Sequence, residues 1–196
     1  MKTKLFLMIL MGVLAFSSCK KEDTTPDPAP VTPVVTDASM SFTKNGTAFT
    51  CTSFNNTLLI QSGTGQQGRR LDIRGSFDNG KTLIVSVSNC DWQNPPVNGV
   101  LVKLYDTRLG GPNAECQDID GTTYCDGALG TYMLTSSTYH MTISDEIEGS
   151  VTITSCNATE KKVSGSFSFI TSDFGETVFD TIQGTFANQV YVVSGS

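Results

Sequence analysis

Residues 69–87 read Arg69-Arg70-Leu71-Asp72-Ile73-Arg74-Gly75-Ser76-Phe77-Asp78-Asn79-Gly80-Lys81-Thr82-Leu83-Ile84-Val85-Ser86-Val87. Apolar residues alternate with polar ones on either side of Asp78-Asn79-Gly80, the pattern of two half-buried strands joined by a tight turn. With a three-residue loop and glycine in the left-handed position, Phe77 faces Lys81, Gly75 faces Leu83, Ile73 faces Val85 and Leu71 faces Val87. Leu71, Ile73, Phe77, Leu83, Val85 and Val87 then share one face. A two-residue loop would set Ile73 against Ser86, because a one-residue slip turns a strand's side chains to the other side. The three-residue loop is therefore expected.

Outward from this hairpin the hydrophobic period stays at two and never becomes 3.6. Upstream, Met40 and Phe42 alternate with polar residues, Asn45-Gly46 turns the chain, residues 48–54 run back, and 58–61 form a short strand. Downstream, 89–127 read as a long irregular stretch with one strand over 100–105. Further strands are expected over 131–134, 138–144, 149–154, 162–171, 176–186 and 190–193. Glycine, then Ser or Thr, then an aromatic recurs at Gly75-Ser76-Phe77, Gly130-Thr131-Tyr132, Gly165-Ser166-Phe167 and Gly184-Thr185-Phe186. In each, the aromatic should point into the core while the glycine on the same face makes room for a neighbouring ring. About ten short strands without an amphipathic helix predict an all-β fold, an antiparallel β-sandwich or flattened barrel, in a single domain over residues 38–196.

The N-terminus specifies where that domain works. Residues 1–18 open with Lys2 and Lys4, continue through the apolar run from Leu5 to Phe16, and end on Ser17-Ser18 before Cys19. The run, about 12 residues, falls short of the roughly 20 a spanning helix needs, so it reads as a secretory signal peptide that is removed. The small residues before Cys19 resemble the lipobox of bacterial lipoproteins, which implies lipid attachment at Cys19. Residues 19–37 then form a tether in which Pro26, Pro28, Pro30 and Pro33 favour an extended spacer. Lys20-Lys21-Glu22-Asp23 resembles the surface-export signal of Bacteroidota lipoproteins, and Asp23-Thr24-Thr25 the O-glycosylation motif of that group.

The formal charge of −6 becomes more negative when a segment carrying Lys2 and Lys4 is removed. An acidic surface argues against a nucleic-acid partner. It offers no polybasic help at a membrane, which leaves attachment to the lipid anchor. Of six cysteines, five remain after Cys19, and an oxidising compartment permits disulfides. Cys116 and Cys125 flank a short polar loop and are the candidate pair. Cys51, Cys90 and Cys156 leave three pairings open, with one thiol odd, or remain free and buried as small apolar side chains.

Five motifs bear on chemistry. Gly63-Thr64-Gly65-Gln66-Gln67-Gly68 matches a dinucleotide-binding fingerprint, but a strand stands where that motif requires a helix. His140, the only histidine, sits in an alternating strand as a solvent-facing or gap-filling residue whose substitution by alanine should change little. No nucleophile elbow and no second zinc-ligating histidine accompany it. Glu115, Asp118, Asp120 and Asp126 surround the candidate disulfide and contain a fragment of a calcium loop, without its third acidic position and closing glutamate. Asp145, Glu146 and Glu148 have nothing nearby to raise a carboxyl pKa for glycosidase work. No metal site, cofactor or catalytic constellation is expected. The sole tryptophan, in Asp91-Trp92-Gln93-Asn94-Pro95-Pro96, offers a ring flanked by Asp91 and Asn94 as a candidate sugar-stacking surface, or caps the core as buried tryptophans do.

The Asn45-Gly46 opening, the strand Gly149-Ser150-Val151-Thr152-Ile153-Thr154, and the endings Val163-Ser164-Gly165-Ser166-Phe167-Ser168-Phe169 and Ile182-Gln183-Gly184-Thr185-Phe186 resemble a group of uncharacterised Bacteroidota lipoproteins of unknown function. Many of these carry tryptophan where this chain has Phe49. The resemblance implies the β fold and an outer-membrane, surface-facing location, and it carries no mechanism. The expected protein is a lipid-anchored outer-membrane lipoprotein whose domain binds or scaffolds a protein or envelope partner and is not an enzyme. The alternative is a carbohydrate-binding accessory using the Trp92 loop.

Overall fold

The hairpin around Asp78-Asn79-Gly80 forms in the expected register. Gln67–Phe77 pairs antiparallel with Lys81–Cys90, with Phe77 opposite Lys81, Ile73 opposite Val85 and Leu71 opposite Val87. Asp78–Gly80 make one 3₁₀ turn between them, and Gly80 adopts φ 83°, a conformation that suits glycine. Leu71, Ile73, Leu83 and Val85 are fully buried.

The computed structural model describes residues 37–60, 67–108, 111–119, 121–142 and 149–195. The expected signal peptide, Cys19 and the expected tether up to residue 36 lie outside the described residues. The strands are β1 (Ser39–Lys44), β2 (Thr47–Thr50), β3 (Ser53–Phe54), β4 (Asn56–Ile60), β5 (Gln67–Phe77), β6 (Lys81–Cys90), β7 (Leu104–Asp106), β8 (Cys116–Ile119), β9 (Thr122–Cys125), β10 (Gly127–Met133), β11 (Tyr139–Met141), β12 (Ser150–Asn157), β13 (Lys162–Ser172) and β14 (Phe179–Gly195). No α-helix occurs among the described residues, and the fold is all-β.

Hydrogen bonding closes a circuit, β14-β4-β5-β6-β10-β11-β13 and back to β14. From it β1 and β2 branch off β14, and β12 and β7 branch off β13. The result is a flattened barrel with two flanking ribbons. One pairing is parallel, between residues 191–195 of β14 and β4; the other strand pairs are antiparallel. The interior is a single apolar cluster that includes Met40, Phe42, Tyr105, Tyr132, Ile153, Phe167, Phe169 and Phe186. Phe77, Tyr132, Phe167 and Phe186, the aromatics of the recurring glycine motif, all point into it. At three of the four motif glycines a Cβ would strike a ring: Phe169 at Gly130, Phe186 at Gly165 and Phe167 at Gly184. At Gly75 it would strike Cys51 and Met40 instead.

Three expectations change. Residues 179–195 hold one continuous strand, β14, where the polar Asn188-Gln189 suggests a break. Asn188 takes φ 49° and donates its N–H to Ser164 Oγ at 2.9 Å. Gln189, fully buried, accepts from Asn56 Nδ2 at 3.0 Å and donates Nε2 to Ser39 O at 2.7 Å. The strand expected over 100–105 shrinks to β7, because Leu101 N–H is taken by the Asn89 side chain at 3.0 Å and not by a neighbouring strand. The middle stretch contains an ordered hairpin, β8–β9, with Cys116 opposite Cys125.

Candidate functional site

The end of β6 sets the geometry of the Trp92 loop. Asp91–Gln93 form one 3₁₀ turn, Cys90 N–H donates to Gln93 Oε1 at 3.0 Å, and Asn94 comes next with φ 51°. Arg69 Nη1 donates to Pro95 O at 2.5 Å, and Tyr191 OH donates to Asn98 O at 2.6 Å, which ties the loop to the barrel wall. Trp92 is half-buried with its Nε1 shut off from solvent. Asp91 and Asn94 are exposed, and the Asn94 amide donates to Trp92 O at 3.3 Å. The three residues adjoin one another, with the ring turned partly into the protein.

Under this loop lies a cluster of which the sequence announces only the acidic half, Glu115 and Asp126, and not Lys103 or Gln93. Asp126, almost fully buried, accepts from Lys103 Nζ at 2.7 Å, Gln93 Nε2 at 2.7 Å and Glu115 N–H at 2.9 Å. Lys103 also pairs with Glu115 at 2.5 Å. Burial alone would lower the Lys103 pKa, but its bonds to Asp126 and Glu115 prevail and raise it. Glu115 is held below the usual carboxylate range by Lys103 and Gln93. The disulfide joins Cys116 to Cys125 just outside the cluster, as expected. Cys51, Cys90 and Cys156 are all free, the unpaired reading; burial pushes the Cys51 thiol up to about 11.

The acidic residues around that disulfide are engaged by the protein. Glu115 and Asp126 share Lys103, and Asp118 accepts from the Thr123 hydroxyl. Asp120 lies outside the described residues, as do Asp145, Glu146 and Glu148. Among the described residues no group of three or more His, Cys, Asp or Glu is placed to hold a metal. Residues 61–66 of the glycine-rich loop are likewise outside, and the chain resumes beyond them as strand β5.

His140 is neither solvent-facing nor a mere gap filler. It is half-buried on β11 with Nδ1 3.0 Å from Asp180 Oδ2, and Asp180 also accepts from Lys44 Nζ at 3.0 Å and Asn45 Nδ2 at 2.8 Å. Burial would raise the Asp180 pKa, yet the bonds from Lys44, His140 and Asn45 outweigh it and hold it low. Removing the imidazole deletes one of these donors, so the expectation that alanine changes little does not stand.

Among the described residues, three concavities of the outer surface stand out. One of about 180 Å³ lies among Arg70, Ser86, Asp106, Arg108 and Asp126. A second of about 310 Å³ lies beside it, sharing Asp106 and Arg108. A third of about 520 Å³ crosses β1, β2, β13 and β14 and meets the second at Ser168. The Trp92 ring lines none of them. Compared with protein-family models, curated proteins and solved structures, the chain matches none.

Proposed function

We propose that this chain is an exported lipoprotein, held at the outer membrane by acyl groups on Cys19, whose β-domain is a non-catalytic binding or scaffolding module that faces the cell surface. The observation that carries the reading is the pairing of Cys116 with Cys125 in a chain whose first residues read as an export signal ending on cysteine. Disulfides persist in oxidising compartments and are rare in the cytosol. Further support comes from the buried carboxylates, whose oxygens are occupied by neighbouring protein groups. Asp72 is bonded by Arg70, Arg74 and Ser86, Asp106 by Asn113, Asp126 by Lys103 and Gln93, and Asp180 by Lys44, Asn45 and His140. Such groups hold architecture rather than move protons.

Protease treatment of intact cells tests the reading. Digestion of the domain before the outer membrane is broken fits a surface-facing protein, and protection until rupture refutes that orientation. A Cys19→Ala variant should leave the membrane fraction; if it stays, the anchor is elsewhere.

A further inference from the structure

Strand registers place six side chains in one lateral row across the outer face: Ala48 (β2), Thr43 (β1), Gln183 (β14), Ser168 (β13), Ser150 (β12) and Asp106 (β7). Partners directly opposite in adjacent strands point to the same side of the sheet, and this side faces solvent. Ala48, Gln183 and Ser168 are exposed, Thr43 and Ser150 half-buried, and Asp106 at the β7 end is buried. The row runs along the second and third concavities, which meet at Ser168. It therefore lines one trough that crosses six strands, about 24 Å at the usual spacing of ~4.8 Å between strands. The next row, from Thr50 through Ser41, Thr185 and Ser166 to Thr152, also bears hydroxyls.

Among the described residues, the larger concavity has no charged residue in its lining, which sets Ser, Thr and Gln183 side chains beside Phe42, Phe49 and Phe167. Charge enters, among the described residues, only at the β7 end, where Asp106, bonded by Asn113, sits near the exposed Arg108. Exposed positions ordinarily favour Lys, Glu, Asp and Arg, so the uncharged lining across β1, β2, β13 and β14 suits an uncharged ligand. Hydroxyls and the Gln183 amide each donate and accept, which matches a surface of alcohols. A single neutral hydrogen bond contributes little net affinity, so a monosaccharide would gain too little, whereas a chain lying along the row repeats the contact. A 1,4-linked pyranose chain advances by about one strand spacing per sugar, presenting each strand's side chain with one residue.

We propose that this trough binds a neutral polysaccharide laid across the strands. The proposal rests on the binding-module reading and moves the glycan surface from the Trp92 loop to the Ser168 row. Affinity electrophoresis of the purified domain through gels containing hydroxyethyl cellulose, galactomannan, starch or polygalacturonate tests it. The domain should be retarded in at least one neutral gel and run freely in the acidic one. Ser168→Lys and Gln183→Lys, both at exposed positions, should weaken retardation at least ten-fold with unchanged circular dichroism, and Trp92→Ala should stay within about two-fold of the parent. No retardation in any neutral gel overturns the proposal. So does retardation that survives both lysines or vanishes with Trp92→Ala, and so does concentration-dependent dimerisation that the lysines abolish, which would make the trough a self-association face. These outcomes are read on purified protein, so they are independent of where intact cells display the domain.

Discussion

Gly130→Ala is the sharpest test of how the barrel interior is packed. Gly130 lies on β10 opposite Val85, is buried, and does not adopt positive φ. The backbone therefore accepts alanine, and the stiffer unfolded chain should stabilise the protein by about 0.4–1 kcal/mol. Against this, an alanine Cβ would lie 2.2 Å from Phe169 Cε2 and 2.5 Å from Cδ2, where carbon atoms prefer roughly 3.5–4.0 Å. The ring must retreat by more than an ångström, yet Phe169 is 2% exposed and stacked on Phe167 at 5.5 Å. Overpacking of this kind costs about 1–3 kcal/mol. The net expectation is a loss of about 1–2 kcal/mol, a fall in Tm of roughly 2–8 °C for a domain of this size. Urea denaturation of the four proteins in a cycle with Phe169→Leu measures it, since the smaller side chain should relieve the collision and give a coupling of about 0.5–3 kcal/mol. A Gly130→Ala variant at or above parental stability, or strictly additive changes, would refute the account.

Three further outcomes come from the disulfide and the polar contacts. Replacing Cys116 and Cys125 by serine removes a restraint on a ten-residue loop of about 3 kcal/mol; because β8–β9 pairs only with itself, limited proteolysis near Gly121 should accelerate more than ten-fold while the urea midpoint of the barrel moves little. Asp72 and Asp180 both have lowered pKa values, because bonds from Arg74, Ser86 and Arg70 in one case and Lys44 and His140 in the other outweigh the raising effect of burial. Their stabilisation should be complete above about pH 3.9, the ordinary aspartate value, and fade as pH falls through the lower native values; urea midpoints between pH 2 and 6 should show a slope that Asp72→Asn and Asp180→Asn flatten. Lys103→Met leaves Asp126 buried without its cation and should cost about 3–5 kcal/mol, most of it recovered by adding Asp126→Leu; an equally unstable double variant would sink that assignment.

The sequence was most legible where local period and turn chemistry agree. The Asp78-Asn79-Gly80 hairpin came out in register because only one register buries Leu71, Ile73, Val85 and Val87 together. The glycine motifs were legible in part: the aromatic two residues on marks the core face, while the ring that three of the four glycines admit comes from another strand and Gly75 admits Cys51 and Met40 instead. Where partners are distant in sequence, legibility ended. Lys103 gives no sign that it will meet Asp126, nor His140 that it will meet Asp180 forty residues on. Gln189 looked like loop because burying an amide is costly, and only Asn56 and Ser39, more than 130 positions away, remove the cost. The Ser168 row belongs to the same class. Its members are ordinary β-strand serines and threonines until strand order sets them side by side.

The placement of the buried carboxylates says which part of the molecule is held in one position. Buried ion pairs add little net stability compared with apolar side chains of similar size, so four buried aspartates are not a device for making the barrel more stable. Asp180 sits alone at the β11–β14 side with Lys44 and His140. The other three converge on the wall of the smallest concavity: Asp106 and Asp126 line it directly, and Asp72 holds Arg70 and Ser86, which line it too. Two of these tie segments that lack regular strand pairing to the barrel. Asp126 fixes Gln93, Lys103 and Glu115, and Asp106 fixes Asn113. An apolar contact would keep those segments close but leave their rotation and register free, whereas a buried carboxylate is satisfied only by donors in particular directions. Residues 93, 103, 113 and 115 of the irregular stretch between β6 and β10, unreadable from its own composition, are in this way tied to buried carboxylates, and the β7 end of the Ser168 trough is part of what they hold in place.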